Sequence, residues 1–243
     1  MQINKNPDII KSLFNSISTR YDFLNHLFSF GMDLRWRRKT AEIVKQFSPR
    51  SILDLCCGTC DLAISISSKV PDNCRIYAVD FSENMLKIAK RKIFKKNLQN
   101  KISLIQADGL KLPFKDSSFD VCTIGFGLRN LSSPEQGLRE LIRITKDSGK
   151  IVILEFDVPQ NKIMRFIYLK YFLYVMPFLA SLFLKKSQDF PDNPFKYLSA
   201  SVMDFPDHNK IIPFFEKNGL ANVKTIINTF GISVIYIGDV KKC

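Results

Sequence analysis

Residues 51–63 read SILDLCCGTCDLA, and this stretch decides the fold. The run Ser51–Leu55 is short and apolar, Gly58 follows in a tight loop, and helical spacing of apolar residues begins at Asp61. A buried strand, a loop and a helix in direct succession are typical of the first unit of a parallel α/β sheet. Three of the chain's six cysteines lie in the loop, so the stretch predicts either a cofactor loop or a thiol motif.

The downstream sequence repeats the strand–helix alternation. Further strands are predicted at residues 75–79, 102–106, 119–124 and 151–155, with helices from 61, 82 and 134 between them. Two later strand-like runs, 223–229 and 232–237, predict a closing hairpin around the turn Phe230-Gly231. The pattern indicates an α/β protein with a doubly wound, mostly parallel, seven-stranded sheet covered on both faces by helices.

We expect a single domain over residues 1–243, with a helical N-terminal cap at 1–50 and an apolar helical lid at 160–205. Residues 163–184 carry only two charges, Arg165 and Lys170, and are long enough to cross a bilayer. Both charges lie in the first half, and Pro177 interrupts the run. These features favour a pair of core or lid helices whose apolar face holds an apolar substrate or rests on a membrane.

The net charge of +13 predicts attraction to a polyanion, either a nucleic acid or an anionic membrane face. Residues 85–101 carry seven Lys and Arg and no acid, which is also typical of the solvated face of an amphipathic helix. No nucleic-acid motif accompanies the charge, so no nucleic acid is expected as a partner. The N-terminus has no signal-peptide pattern and the cysteine spacing is irregular, which predicts a cytoplasmic protein with reduced thiols.

Small and acidic residues occur where the predicted strands end. Because ligands of open α/β sheets bind outside the carboxyl ends of the strands, these residues are expected to share one site. A dinucleotide would require three glycines in the first loop, and only Gly58 is present. Asp54 and Asp61 also bracket the loop and would repel a pyrophosphate.

S-adenosylmethionine (SAM) suits such a site, because it has no phosphate and carries an ammonium and a sulfonium. Asp80 is predicted to accept both ribose hydroxyls, and Asp108 to take the adenine amino group. Gly58 is predicted to let the backbone approach the cofactor, and Thr59 to hydrogen-bond its amino-acid end. The predicted cofactor-binding residues are Asp54, Gly58, Thr59, Asp80, Asp108, Gly109 and Gly125.

The loop cysteines support two rival interpretations. Cys57 and Cys60 form a C-x-x-C between a strand and a helix, which is a thioredoxin-like context. Together with Cys56 they offer three thiols for zinc, but no fourth ligand is nearby in sequence. His26 and His208 have no ligand partner at useful spacing, so no metal site is predicted.

From about residue 14 to the C-terminus, the sequence resembles the ubiquinone/menaquinone biosynthesis C-methyltransferases (the UbiE/MenG family), within the class I, Rossmann-like SAM methyltransferases. FGLRN at 126–130 is the most specific element. The others are YDFLN at 21–25 with SFG at 29–31 and Trp36, LDLCCGTCD at 53–61, and segments at 143–155, 197–201 and 205–207. The sequence departs from the family pattern at Asp33, where histidine is usual, and at Cys60, Gly125, Asp157 and 145–148.

The resemblance implies methyl transfer from SAM to a ring carbon of a polyprenylated hydroquinone, either demethylmenaquinol or a ubiquinone precursor. Arg129 and Asn130 would stabilise the developing phenolate, while Tyr21 and Asn25 would close over the site. The alternatives are a structural salt bridge for Arg129, and helix packing for Tyr21 and Asn25.

Such an enzyme is compatible with a homodimer and with peripheral attachment to the inner face of a membrane. Two other functions compete with it. One is a SAM methyltransferase that acts on another small aromatic or on RNA. The other is an RNA-binding module that uses the +13 charge.

Overall fold

The structure is a computed structural model that describes residues 7–183 and 194–242. Residues 1–6 of the expected cap and 184–193 of the expected lid lie outside this description. Seven strands form one sheet in the order β3-β2-β1-β4-β5-β7-β6. Their bounds are β1 Ser51–Leu55, β2 Arg75–Asp80, β3 Ile102–Gln106, β4 Phe119–Gly125, β5 Thr145–Phe156, β6 Leu220–Asn228 and β7 Ser233–Val240.

Strands β1 to β5 pair in parallel, and β7 runs antiparallel between β5 and β6. The predicted doubly wound, mostly parallel sheet is therefore confirmed. The strand order reverses between β1 and β4, so this pair is the switch point at which a crevice opens beyond the strand ends.

The helices cover both faces of the sheet, and several begin at side chains that accept hydrogen bonds from the first turn. Ser82 accepts from the Met85 amide at 3.3 Å, and Asp207 accepts from the Asn209 amide at 3.1 Å. The helices are α1 Pro7–Phe28, α2 Met32–Lys45, α3 Asp61–Ser67, α4 Glu83–Lys95, α5 Pro134–Ile144, α6 Lys162–Lys170, α7 Met176–Phe183, α8 Pro194–Asp204 and α9 His208–Lys217.

Two apolar clusters lie on opposite faces of the sheet. Alternate residues of β1 enter different clusters, with Ile52 on the face that carries α2, α3 and α4, and Leu53 on the face that carries α5 and α9. Both faces are thus buried, which explains why the parallel strands read as continuous apolar runs.

Three strands are longer than predicted by two residues or more. β5 begins at Thr145 because the polar stretch before residue 151 folds back and pairs Thr145 with Phe119 across a bulge. β6 begins at Leu220 and β7 extends to Val240, and these two residues pair with each other. The ends of these strands are determined by pairing with a neighbouring strand. The apolar pattern alone therefore predicts strands that are too short.

Instead of the expected helix pair, α6 and α7 form one continuous helix through a π turn at Tyr171–Val175. Pro177, which lacks an N–H for the helical ladder, follows directly after this wider turn. The inner face of the helix packs on a third apolar cluster that includes Leu24 of α1 and Val202 of α8. Residues 162–181 are long and apolar enough to cross a membrane by length and composition, and 28% of the most apolar window is buried.

Candidate active site

Two neighbouring cavities open at the switch point of the sheet. The acidic cavity is lined by Asp80 and Asp108 together with the small residues Gly58, Gly109 and Gly125. The aromatic cavity is lined by side chains of α1, α2, α6, α8, the end of β5 and the loop after β4, among them Asn25, Trp36, Arg129, Phe156, Tyr168 and Tyr197. Tyr21, Phe126 and Asn130 line both cavities, so the two spaces meet at these residues.

Asp80 organises the acidic cavity. Its two carboxylate oxygens accept hydrogen bonds from the backbone amides of Gly58 at 2.8 Å and Ser82 at 2.9 Å. Burial raises the pKa of Asp80 to about 6. Each oxygen keeps a further lone pair, so the ionised carboxylate offers a pair of acceptors to a ligand with adjacent hydroxyls.

Glycines bring the walls of the acidic cavity together. Gly58 has φ +54°, and a β-carbon there would meet no other atom within 4 Å, so its backbone faces open space. At Gly127 a β-carbon would lie only 2.4 Å from the Cβ of Cys56, and at Gly125 it would lie 2.9 Å from Leu62. At Gly127 the loop after β4 therefore packs directly on the loop after β1, which only glycine permits there. At Gly125 the close neighbour is the end of the Leu62 side chain of α3.

The cysteines of the first loop are unsuited to redox or metal chemistry. Burial raises the pKa of Cys56 and that of Cys57 well above the usual thiol value, so both thiols stay protonated at neutral pH. Cys60 is fully buried in the apolar cluster that lies against α3. Within residues 7–183 and 194–242, no group of three or more His, Cys, Asp or Glu side chains is arranged to hold a metal ion.

Two residues of the predicted cofactor set lie outside the lining of the acidic cavity. Asp54 is fully buried, and one of its oxygens accepts from the Thr123 hydroxyl at 2.7 Å. The hydroxyl of Thr59 lies 2.5 Å from Asp22 of α1 and accepts from Lys92 of α4 at 3.1 Å. The contacts of Asp54 and Thr59 with a cofactor stay predictions. The acidic cavity is lined by the other five predicted residues, Gly58, Asp80, Asp108, Gly109 and Gly125.

Arg129 is held by a buried ion pair. Its guanidinium lies 2.6 Å from a carboxylate oxygen of Glu155, donates to the Phe126 carbonyl at 2.7 Å and stacks over the Phe156 ring. The structural salt bridge that the sequence analysis gave as the alternative role of Arg129 is thus present. Arg129 nevertheless lines the aromatic cavity, so its positive charge acts on that space as well.

Asn130 and Tyr21 stand where the cavities meet. The Asn130 side-chain amide donates to the Phe126 carbonyl at 3.2 Å, and its oxygen accepts from the Tyr197 hydroxyl at 3.4 Å. Tyr21 of α1 is hydrogen-bonded with Asn25, and burial raises the pKa of its hydroxyl. The structure brings together all four residues expected at the reacting end, namely Tyr21, Asn25, Arg129 and Asn130.

A charged network fixes α1 and α2 beside this site. Asp33 accepts from His26 at 2.8 Å and from Arg37 at 2.6 Å, and Arg37 in turn lies over the Phe126 ring. Arg37 therefore compensates the charge of Asp33, which stands where the resembled family has histidine. Asp33 lines the aromatic cavity without leaving an uncompensated negative charge there.

Sequence reasoning missed several aromatic residues of the second cavity, chiefly Phe156 and Tyr168. The available signal was the spacing of Tyr168, Phe172 and Met176 at every fourth residue of an apolar run. These side chains form the inner face of the α6–α7 helix and line the cavity together.

Comparisons with known proteins agree with this geometry. A family model described as the ubiE/COQ5 methyltransferase family matches residues 1–240. The ubiquinone/menaquinone biosynthesis C-methyltransferase UbiE of Geotalea uraniireducens is 37% identical over 98% of this chain and 99% of its own length. A demethylmenaquinone methyltransferase of Staphylococcus saprophyticus is 38% identical over 94% of this chain and 95% of its own.

Solved structures share the fold at low identity. A SAM-dependent methyltransferase from Aquifex aeolicus superposes with a TM-score of 0.58 at 18% identity, covering 83% of this chain and 89% of its own. An O-methyltransferase family protein from Burkholderia thailandensis gives a TM-score of 0.66 at 14% identity, covering 92% of this chain and 60% of its own.

Proposed function

The chain belongs to the ubiE/COQ5 methyltransferase family, and we propose that it transfers a methyl group from SAM to a ring carbon of a polyprenylated hydroquinone. One observation carries the proposal. A cavity with the acidic groups that suit a cationic cofactor meets a cavity with the aromatic walls that suit a planar ring, and they meet at Tyr21, Phe126 and Asn130.

The acidic cavity fits SAM in charge and shape. When bound, SAM supplies an electrophilic methyl group on a positively charged sulfur. Asp80 offers two acceptor oxygens to ribose hydroxyls, and Asp108 adds a second carboxylate on the same wall. The open space at Gly58 admits a ligand against the backbone.

The aromatic cavity fits the ring of a hydroquinone. Phe126 and Phe156 lie with ring centroids 4.4 Å apart, and Trp36 contacts both. These walls exclude water and favour offset or edge-on contact with another ring. Tyr21 and Phe126, shared by the two cavities, would then hold the ring against the methyl donor, which lowers the entropic cost of reaction.

Arg129 and Asn130 are the groups suited to activate the ring. Methylation needs electron density at the ring carbon, and this density increases when the neighbouring hydroxyl is deprotonated or strongly hydrogen-bonded. The amide of Asn130 supplies a donor at the junction of the cavities, and the guanidinium of Arg129 supplies positive charge in the wall of the aromatic cavity. We assign to them the stabilisation of the developing phenolate oxygen.

The direct test uses purified protein, SAM and short-chain hydroquinones kept reduced. We expect methylation of demethylmenaquinol, of a demethylated ubiquinone precursor, or of both, detected as a mass increase of one methylene on the ring. Asp80→Ala serves as the control that weakens SAM binding. A protein that binds SAM but methylates neither hydroquinone, and instead methylates another aromatic or RNA, would refute the proposal.

We further propose that the enzyme works at the anionic inner face of a membrane, where prenylated quinols reside. The outer face of the α6–α7 helix exposes Phe166, Tyr174 and Phe178, although its inner face is packed on the domain. Phe30, which is 80% exposed, lines the aromatic cavity, so the mouth of that cavity is itself apolar. A helix buried on one face lies on a bilayer rather than across it.

One basic side chain lies on this apolar face, and two more are close to Phe30 in sequence. Lys170 lies over the rings of Phe166 and Tyr174, and Arg35 and Arg38 are exposed on α2 near Phe30 in sequence. Cations beside exposed aromatics suit a surface of anionic lipid. The prenyl tail would then stay in the lipid while the ring enters the aromatic cavity.

Vesicle sedimentation tests this attachment. We expect binding to vesicles that contain phosphatidylglycerol, weaker binding to pure phosphatidylcholine, and release at high salt. The double variant Phe166→Ser and Phe178→Ser should bind at least about tenfold more weakly, because each buried Phe contributes about 1.5–3 kcal/mol. Phe94→Ser, at a residue 70% exposed on α4, is the matched control and should bind normally. Binding that ignores anionic lipid and salt would contradict the proposal.

A further inference from the structure

Tyr168 of α6 is a buried tyrosine in the lining of the aromatic cavity. The residue is only 7% exposed, and its hydroxyl oxygen has no hydrogen-bond partner among the described residues. Buried phenol hydroxyls ordinarily have a partner, because leaving one unpaired costs free energy. This side chain lines the aromatic cavity, which points to a ligand there as the missing partner.

The ring of Tyr168 is fixed, so the hydroxyl cannot turn away to find a partner. It stacks on Phe172 with centroids 4.9 Å apart and an interplanar angle of 18°. It also packs in the apolar cluster with Leu24 and Val158. Because the aromatic cavity is lined by this side chain, the hydroxyl is set in place before any ligand arrives.

Two other tyrosines of the same cavity provide a contrast. The Tyr171 hydroxyl donates to the Phe28 carbonyl at 2.9 Å, and the Tyr197 hydroxyl donates to Asn130 at 3.4 Å. Both are engaged in holding the walls. Among the described residues, the hydroxyl of Tyr168 therefore differs from those of its two neighbours in having no partner, although all three side chains line the same cavity.

The hydroxyl is suited to donate rather than to ionise. Burial raises the pKa of Tyr168 far above its ordinary value, although the charge of Arg129 acts in the opposite direction. Asp157 also acts to raise the pKa. At any physiological pH the phenol stays neutral and keeps its proton for a hydrogen bond.

We propose that Tyr168 donates a hydrogen bond to one of the two ring oxygens of the bound hydroquinone. This inference rests on the proposed function. A hydroquinone carries oxygens on opposite sides of its ring. Asn130, at the cavity junction, and Arg129, in the wall of the aromatic cavity, are suited to one of them. Tyr168 then holds the other oxygen, which fixes the ring carbon that faces the methyl donor and selects rings with two oxygens over rings with one.

The test compares Tyr168→Phe with wild type for three ligands: a short-chain demethylmenaquinol and the two naphthol analogues that each lack one ring oxygen. The chain's single tryptophan, Trp36, lines the cavity, so its fluorescence reports binding without turnover. We expect Tyr168→Phe to weaken binding of the hydroquinone about 3- to 10-fold, the range for one neutral hydrogen bond. One of the two analogues lacks the ring oxygen that accepts from Tyr168. The variant and wild type should bind that analogue equally.

Stability separates this role from a structural one. Tyr168→Phe should leave the Tm of the free protein unchanged or raised, because it removes a hydroxyl without a partner. Tyr171→Phe is the matched control on the same helix, and it should lower the Tm because the bond to Phe28 is lost. SAM affinity should be unaltered in Tyr168→Phe.

Three results would overturn the inference: equal binding of all ligands by variant and wild type, an equal loss for all of them, or a fall in Tm as large as that of Tyr171→Phe. Failure of the proposed function looks different. In that case the wild-type protein itself neither binds nor methylates any hydroquinone, and the inference fails with its premise.

Discussion

Lys92 on α4 lies 2.9 Å from Asp22 on α1, and this ion pair closes the N-terminal helix over the acidic cavity. The same ammonium donates to Asp61 and, at 3.1 Å, to Thr59, so it joins α1, α3 and α4 around the first loop. Ile10 and Tyr21 of α1 line the cavity beneath. Lys92 therefore holds α1 in place beside the acidic cavity.

Lys92→Met should loosen α1. Asp22 and Asp61 would lose their shared counter-ion, and we expect a loss of about 1–3 kcal/mol in the free energy of unfolding, as for hydrogen bonds to charged groups. Hydrogen exchange of α1 amides should accelerate, and SAM should dissociate faster. Lys90→Met, at an exposed residue of the same helix, is the control and should behave like wild type. Unchanged α1 exchange would contradict this role.

SAM affinity should fall in acid because of Asp80. Its pKa is raised to about 6 by burial, so the carboxylate that would accept ribose hydroxyls is ionised above pH 6 and protonated below it. The dissociation constant should increase by up to about tenfold per pH unit below 6. The protein's own stability has the opposite sign, because a raised carboxyl pKa means that the free energy of unfolding decreases as pH rises from about 4 to 6.

Calorimetric titrations from pH 5 to pH 8 measure this dependence. Asp80→Asn should bind SAM more weakly than wild type above pH 6, and it should lose the step near pH 6. The nearby Asp54, whose pKa is raised to about 7 by burial, provides a second titration that Asp54→Asn identifies. A step that persists in Asp80→Asn would assign the pH dependence to another group.

The Arg129–Glu155 pair should show separate structural and catalytic roles. Glu155→Gln leaves a buried guanidinium without its counter-ion and should cost about 3–5 kcal/mol of unfolding free energy. The folded fraction should keep much of its activity, because the charge remains beside the cavity. Arg129→Met should lower kcat about 100-fold or more even when fully folded, the usual loss for a group that stabilises an oxyanion.

Urea unfolding and initial rates, corrected for the folded fraction, measure the two effects. The double variant Arg129→Met and Glu155→Leu should be less destabilised than the sum of the single variants, since no buried charge is left unpaired. A purely structural Arg129 would instead give a double variant with restored activity.

Gly127 should tolerate a side chain only when Cys56 loses its own. In Gly127→Ala the new β-carbon would lie 2.4 Å from the Cys56 Cβ, and such overpacking costs about 1–3 kcal/mol. Cys56→Gly removes the obstacle, and its backbone φ of +53° suits glycine. The double variant should recover stability, measured as Tm, and SAM affinity. A double variant no better than Gly127→Ala would place the conflict elsewhere.

The residues of the acidic cavity could be predicted because the carboxyl ends of parallel strands lie at one edge of the sheet, independently of packing elsewhere in the protein. Asp80, Asp108, Gly109 and Gly125 follow from that rule. Asp54 does not, since its side chain, at the next-to-last position of β1, points into the sheet face and bonds to Thr123. Whether a side chain near a strand end faces the cavity depends on the alternation of side chains along the strand, and not only on its distance from the end.

The aromatic cavity was less accessible to prediction. Its walls come from helices distant in sequence, and their rotation depends on tertiary packing. Thr59, expected at the cofactor, is engaged instead by Asp22, 37 residues earlier. For Arg129, the sequence offered a catalytic residue and a salt bridge as alternatives, whereas one guanidinium both bonds Glu155 and lines the cavity.

The π turn at Tyr171–Val175 keeps one face of the α6–α7 helix directed toward the domain along its whole length. Tyr168, Phe172, Met176 and Ala180 are all buried at intervals of four, although an α-helix repeats every 3.6 residues and such a series would wind away from the protein. The wider turn absorbs that drift. Deleting one residue within it would rotate everything downstream by about 100°. Met176 and Ala180 would then leave the core, so the number of residues in this turn, as much as their chemistry, determines which side chains face the substrate and which face outward.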